Sequence, residues 1–235
     1  FIHTSALAVV DKCETDRELA YSINVKGTEN ILKACAENSI KFVYVSTSAV
    51  FDGSKNEYFE DDDLSPINYY GETKAIAEKK IQQSKLDYLI LRTDQPYCWT
   101  EKWQRLNSVI RILNNFSSNK IHNEVTDWYN KPTFVPNFVE NTLKLIDNNS
   151  NGIFHIVGTD FINRLDWSMI LCDVFKLDKN KIIKILSKDL NLPAKRANIN
   201  INSDKVTKET GIPMIGVKEG AELMLKEITS TTKTL

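Results

Sequence analysis

Short apolar runs alternate along the chain with longer stretches of helical period. Residues 1–6 open on an apolar run and predict a strand. Residues 16–37 place Leu19, Ile23, Ile31, Leu32 and Cys35 at helical spacing, with Thr15 or Asp16 as N-cap. Residues 41–47 are nearly continuous in apolar and β-branched side chains, which predicts a strand buried on both faces, as in a parallel sheet. After a turn-rich loop over 48–67, marked by Asp52-Gly53 and Ser65-Pro66, a helix is expected at 69–84 and another buried strand at 88–92. Strand, helix, strand, helix, strand is the order of a doubly wound α/β sheet.

Beyond Pro96 the pattern loosens. Helices are expected at 102–113, 137–147, 165–175 and 217–228, and a strand at 152–157. The aromatic stretch Asp127-Trp-Tyr-Asn-Lys-Pro-Thr-Phe-Val135 contains a turn, and 190–202 reads as an irregular polar connection. The expected organisation is 1–95 as a Rossmann-type parallel sheet, with 96–235 mainly a smaller α/β lobe, some of whose segments return to that sheet.

Composition narrows the function classes. Lys plus Arg number 30 against 31 Asp plus Glu, so no excess positive charge supports a nucleic-acid footprint or a polybasic membrane surface. With 42% hydrophobic residues the chain can bury a sizeable core. No apolar run reaches the roughly 18 residues of a membrane span, and a cytoplasmic protein is expected. The four cysteines are far apart and read as free thiols, and neither they nor the three histidines have metal-ligand spacing.

Chemistry concentrates at Tyr70-Gly-Glu-Thr-Lys74, which opens a helix shortly after Ser46-Thr-Ser48 at the end of a buried strand. Positions i and i+4 share a helix face, so the Tyr70 phenol and the Lys74 ammonium can address one cleft. A phenol ionises near pH ~10, and an adjacent ammonium lowers that value until the group can exchange protons near neutrality. Thr47 would hydrogen-bond the same substrate oxygen, since ligands of open α/β sheets bind at the carboxyl ends of the strands. A Tyr–Lys pair at this spacing is weak evidence by itself; its place between two buried strands gives it weight. The acidic run Glu60-Asp-Asp-Asp63 reads as a solvated loop.

The chain resembles the extended short-chain dehydrogenase/reductases, and among them the dTDP-4-dehydrorhamnose reductases. The matching segments are Ile2-His-Thr-Ser-Ala6, Val10-Asp-Lys-Cys-Glu14, Ile23-Asn-Val-Lys-Gly-Thr28, Val45-Ser-Thr-Ser-Ala-Val-Phe-Asp-Gly53, Asn68-Tyr-Tyr-Gly-Glu-Thr-Lys74, Leu91-Arg-Thr93, Lys131-Pro-Thr133 and Gly152-Ile-Phe-His-Ile-Val-Gly158. The resemblance implies Thr47, Tyr70 and Lys74 as catalytic residues. It implies an NADP or NAD cofactor lying beside Thr4, Ser5 and Ala6 and contacting Thr47, Tyr70 and Lys74. Asn24 matches a sheet-bracing Asn, and Ser46 and Ser48 would support the site. Ser48, Gln95, Trp128 and Arg196, with Lys195, match the region of the nucleotide-sugar substrate, with packing or solvated surface as the alternative. The implied reaction is hydride transfer to a keto carbon of a nucleotide-linked deoxysugar, in a chain that can form a homodimer.

Departures fall in the substrate half. Asn130 stands where relatives carry Gly, no Trp lies beside Gln95, Arg196-Ala197 replaces Arg-Pro, and Thr93-Asp-Gln-Pro-Tyr-Cys-Trp99 is atypical. The same triad serves nucleotide-sugar epimerases and dehydratases, and the same fold serves as the regulatory β subunit of methionine adenosyltransferase, so both alternatives stay open. No Gly-rich dinucleotide loop occurs in the chain. That absence leads to the expectation that N-terminal strands and their phosphate-binding loop, roughly 50–70 residues by the size of a βαβ unit, lie ahead of Phe1.

Overall fold

The computed structural model describes residues 1–230 apart from 102, 105 and 119. Its elements run β1 (Ile2–His3), α1 (Val10–Thr15), α2 (Arg17–Tyr21), a π-turn (Ser22–Lys26), α3 (Gly27–Glu37), β2 (Phe42–Thr47), a 3₁₀ turn (Ser48–Val50), α4 (Tyr69–Gln83) and β3 (Tyr88–Thr93). They continue with β4 (Pro96–Tyr97), α5 (Ser108–Ser117), β5 (His122–Val125), β6 (Tyr129–Asn130), β7 (Thr133–Phe134), α6 (Val135–Asp147), β8 (Gly152–His155) and β9 (Ile162–Asn163). The last are α7 (Arg164–Phe175), β10 (Ile182–Ile185), α8 (Asp204–Thr210) and α9 (Val217–Ser230), with short 3₁₀ turns at Lys179–Lys181 and Ser187–Leu190.

The chain divides into two compact units. The first comprises Phe1–Thr93, Asn141–Ile156 and Leu192–Ile212. Its centre is a four-stranded sheet in the order β1-β2-β3-β8, every pair parallel. The near-continuous apolar character of β2 and β3 has the expected cause: Phe42, Tyr44, Leu89 and Ile90 are all buried, in strands covered on both faces. Leu32 and Cys35 of α3 and Ala77 and Ile81 of α4 pack against them.

The second unit comprises Asp94–Glu140, Val157–Asn191 and Pro213–Leu235. Three two-stranded pairings, parallel β5–β10 and β4–β7 and antiparallel β6–β9, surround a helical core from α5, α7 and α9. A side chain on Gly220 of α9 would collide with the Tyr97 hydroxyl, so the helix approaches β4 only through a residue without Cβ.

Four expectations change. The segment 16–37 starts at an expected cap, Asp16, whose carboxylate accepts from Leu19 N at 3.2 Å, but a π-turn at Ser22–Lys26 inserts an extra residue into it. That rotation leaves Leu19 and Ile23 exposed and turns Ala20, Asn24, Val25 and Thr28 inward. Only Ile2–His3 of the first run pairs as a strand. The helix expected from 102 begins instead at Ser108, where the Asn107 side chain accepts from Ile110 N at 3.1 Å; positions 102 and 105 lie outside the described residues. Finally, 190–202 is irregular apart from Leu190, which ends a 3₁₀ turn, and Ile201, which bridges to Tyr58, yet it is not simply polar surface, since Ala194, Ile199 and Ile201 are buried.

Candidate active site

The first unit gathers its polar chemistry at the carboxyl ends of β1, β2 and β3, the end at which parallel α/β sheets bind ligands. Thr47 closes β2 opposite Thr93 of β3, and its hydroxyl accepts from Ala49 N at 3.2 Å as the chain turns into the 3₁₀ segment. Helix α4 starts beside that turn. Asn68 caps it, accepting from Gly71 N at 2.9 Å while donating to the Lys195 carbonyl at 2.9 Å. A Cβ on Gly71 would drive into the Ala49 carbonyl, so α4 reaches this position only with glycine there. Tyr70, in the same first turn, is half-buried.

One turn on, Lys74 is only 2% exposed. Its ammonium donates to the Val45 carbonyl at 2.7 Å and stands 3.9 Å above the centre of the Tyr44 ring. Burial pushes its pKa down to about 7, against a smaller opposing pull from Glu78. Tyr44 responds to the same surroundings: burial first, then the neighbouring Tyr70 phenol, push its own ionisation well above the ordinary phenol range. Tyr70 and Lys74 therefore both act on one buried aromatic of β2.

Glu78 lies on the next turn of α4. It pairs with Arg92 of β3, the guanidinium Nη2 donating at 2.7 Å and Nε reaching both oxygens at 3.2 Å, and it accepts from the Ser46 hydroxyl. Arg92 Nη1 continues to the Glu60 carbonyl and to His155 Nε2, each at 3.2 Å. Glu60, expected in a solvated loop, is buried: its carboxylate accepts from His155 N at 3.0 Å, which satisfies an amide at the end of β8. Burial, then Arg92, hold the His155 pKa down at about 3.

The remaining residues of interest separate by unit. Thr4 and Ser5 are exposed and Ala6 half-buried just past β1, and Ser48 is buried in the 3₁₀ turn. Asn24 ties this end together, exchanging hydrogen bonds with Leu7 and donating to Thr73 of α4 at 3.0 Å. Arg196 is engaged by Asp11 in a two-pronged ion pair at 2.6 and 3.0 Å, and it also donates to the Ala194 carbonyl. Gln95 and Trp128 belong to the second unit. There the Gln95 side-chain oxygen accepts from Ser108 and Arg164 at 3.2 Å, and the Trp128 carbonyl accepts from Arg164 N at 2.9 Å.

Sequence reasoning missed Tyr44, Glu78, Arg92 and His155. Signals were available: Glu78 follows Lys74 at i+4, and Arg92 is a lone charge in a strand otherwise apolar from Leu89 to Leu91.

A parallel α/β unit with a Thr, a Tyr and a buried Lys at the carboxyl end of its inner strands belongs to the Rossmann-like class. The particular family follows from comparison: the model described as RmlD substrate binding domain matches residues 1–230, and the chain belongs to that family. It is 25% identical over 214 residues to the dTDP-4-dehydrorhamnose reductase of Mycolicibacterium smegmatis, covering 90% of this chain and 64% of that protein. It is 27% identical over 219 residues to methionine adenosyltransferase 2 subunit beta of Xenopus tropicalis, covering 88% and 64%. The chain thus spans less than two thirds of the length of these relatives. The crystal structure of dTDP-4-dehydrorhamnose reductase from Bacillus anthracis in complex with NADP superposes with a TM-score of 0.89 at 26% identity, over 96% of this chain and 79% of that one.

Proposed function

We propose that this chain carries the catalytic residues of an NAD(P)-dependent reductase acting on a nucleotide-linked 4-keto-deoxysugar, with Tyr70 as proton donor. The observation that carries the reading is Lys74: a buried lysine one helical turn from Tyr70, bonded to a backbone carbonyl rather than a carboxylate, and so able to hand its ammonium to a ligand. A dinucleotide fits the residues present. Thr4 and Ser5 are exposed and Ala6 half-buried past β1, with side chains small enough for close approach, and these residues with Thr47, Tyr70 and Lys74 would hold the nicotinamide end. The cofactor would supply the hydride. Thr47 would orient the keto oxygen of the sugar, Tyr70 would give its proton to that oxygen as negative charge develops, and Lys74 would bind ribose hydroxyls while favouring the phenolate left behind. The NADP-bound reductase among the structural relatives supports the cofactor class.

Turnover of a 4-keto sugar with stoichiometric loss of NADPH tests the reading in the full-length protein. Tyr70→Phe should lower kcat by at least about 100-fold, the scale of a lost general acid, with the NADPH Kd nearly unchanged. Retained turnover in that variant would refute the assignment. A sugar converted without net NADPH loss would indicate an epimerase or dehydratase that regenerates its cofactor. The likeness to the methionine adenosyltransferase subunit favours a regulatory reading as the alternative. Co-purification with a synthetase, and no oxidoreduction across a panel of nucleotide sugars, would establish it.

A further inference from the structure

We propose that Glu78 and Arg92 are a positioning pair for Lys74: Glu78 sustains the ammonium through space, while Arg92 and Ser46 hold its carboxylate away from a direct ion pair with it. The inference rests on the reading of Lys74 as a cofactor ligand.

Lys74 and Glu78 are four residues apart on one face of α4, the spacing at which a lysine and a glutamate ordinarily pair. Both are buried, where an unpaired charge is most costly and direct pairing most expected. They do not pair. Lys74 bonds the Val45 carbonyl and caps the Tyr44 ring, while both Glu78 oxygens are drawn toward the sheet by Arg92, with Ser46 adding a third donor. Ser46 and Arg92 are direct neighbours across β2 and β3, so the sheet register itself presents two donors to one carboxylate. A carboxylate saturated this way keeps its charge but has little reason to reach for Lys74.

Arg92 is in turn prevented from swinging away. Its Nη1 is spent on the Glu60 carbonyl and on His155 Nε2, and its guanidinium lies 5.1 Å from the centre of the Phe51 ring. An arginine can only donate, so His155 Nε2 is the unprotonated nitrogen, and Nδ1–H donates to the Asn202 carbonyl at 3.1 Å. Both imidazole positions are committed. The pair is thus anchored by the loop before α4, by β8 and by the segment entering α8.

The charged and titratable groups facing Lys74 are Glu78 from its own helix, Tyr44 from β2 and His3 from β1, with Tyr70, one turn earlier on the helix, acting on Tyr44. His3 is buried, feels Lys74 as a positive charge and is occupied with the Thr28 hydroxyl at 3.1 Å. Glu78 is the group among these that offsets the cost of burying the ammonium. Removing the two partners should therefore move Lys74 in opposite directions.

The test is an NMR titration of the Lys74 Cε resonance in full-length protein carrying ¹³C-lysine, assigned by its loss in Lys74→Arg. Glu78→Gln should lower the Lys74 midpoint by about one pH unit, a tenfold change in its protonation constant. Arg92→Gln frees the carboxylate to close on Lys74 and should raise the midpoint by about as much, with weaker NADPH binding because the ammonium is taken. Glu78→Asp should restore the wild-type midpoint. The charge-balanced double variant Glu78→Gln, Arg92→Gln avoids stranding a buried charge, and its midpoint should fall as in Glu78→Gln. An unmoved midpoint in the double variant, or a fall in Arg92→Gln, would mean the pair merely braces the fold and would overturn the proposal. Failure of the reductase reading is separable: retained turnover in Tyr70→Phe would remove that reading and leave these shifts in place.

Discussion

His155 shows how one buried side chain can govern the pH response of the first unit. An unfolded chain protonates this imidazole near pH 6.5, whereas the folded protein resists protonation until about pH 3, because burial first and then the Arg92 guanidinium disfavour the imidazolium, against a smaller opposing pull from the Asn202 carbonyl. Between those values the unfolded state holds one proton more than the native state, so stability falls as the pH drops from about 6.5 toward about 3. The expected loss is about 1.4 kcal/mol per pH unit from this residue. Urea denaturation at pH 7 and pH 5 should show it, and His155→Gln should remove most of that slope; an unchanged slope in the variant would assign the acid sensitivity elsewhere. Of the residues expected to bind substrate, Arg196 is held by Asp11, and contact with a nucleotide phosphate would require it to leave that partner.

At the scale of elements, α4 is placed by its first turn. Alanine in place of glycine within a helix ordinarily adds about 0.5–1 kcal/mol of stability. Gly71→Ala should do the opposite, costing about 1–3 kcal/mol, because its Cβ meets the Ala49 carbonyl and the Pro66 ring instead of solvent. The denaturation midpoint reads the sign, and kcat/KM should fall with it as Tyr70 and Lys74 shift relative to Thr47. Asn68→Ala should cost about 1 kcal/mol through loss of the cap to Gly71 N, and a variant of unchanged midpoint would show that the cap contributes nothing. Helix α2–α3 teaches the reverse lesson. Periodicity placed Leu19 and Ile23 inward, but the π-turn changed the phase, and no local pattern announces a π-turn.

At the scale of the molecule, the first unit is discontinuous. Strand β8 supplies the second neighbour of β3, and the returning segment Leu192–Ile212 supplies the Asn202 carbonyl and the buried Ile199 and Ile201. The fragment Phe1–Thr93 contains every residue proposed for catalysis, yet it should fail to fold alone, since Arg92 would lose His155 and β3 would have a bare edge. Dispersed amide NMR signals from that fragment would contradict this dependence.

The chain's own pattern determined the parallel strands β2 and β3 and helix α4, and with them the places of Thr47 at the end of β2 and of Tyr70 and Lys74 one turn apart on α4, because double-sided burial and i, i+4 spacing are written locally. It could not determine that Glu60 leaves an acidic surface run to cap β8, or that Glu78 turns from Lys74 to Arg92. Those outcomes depend on which donors distant segments bring to a buried carboxylate. A buried charge is settled by the partners it finds in three dimensions, not by its neighbours in sequence.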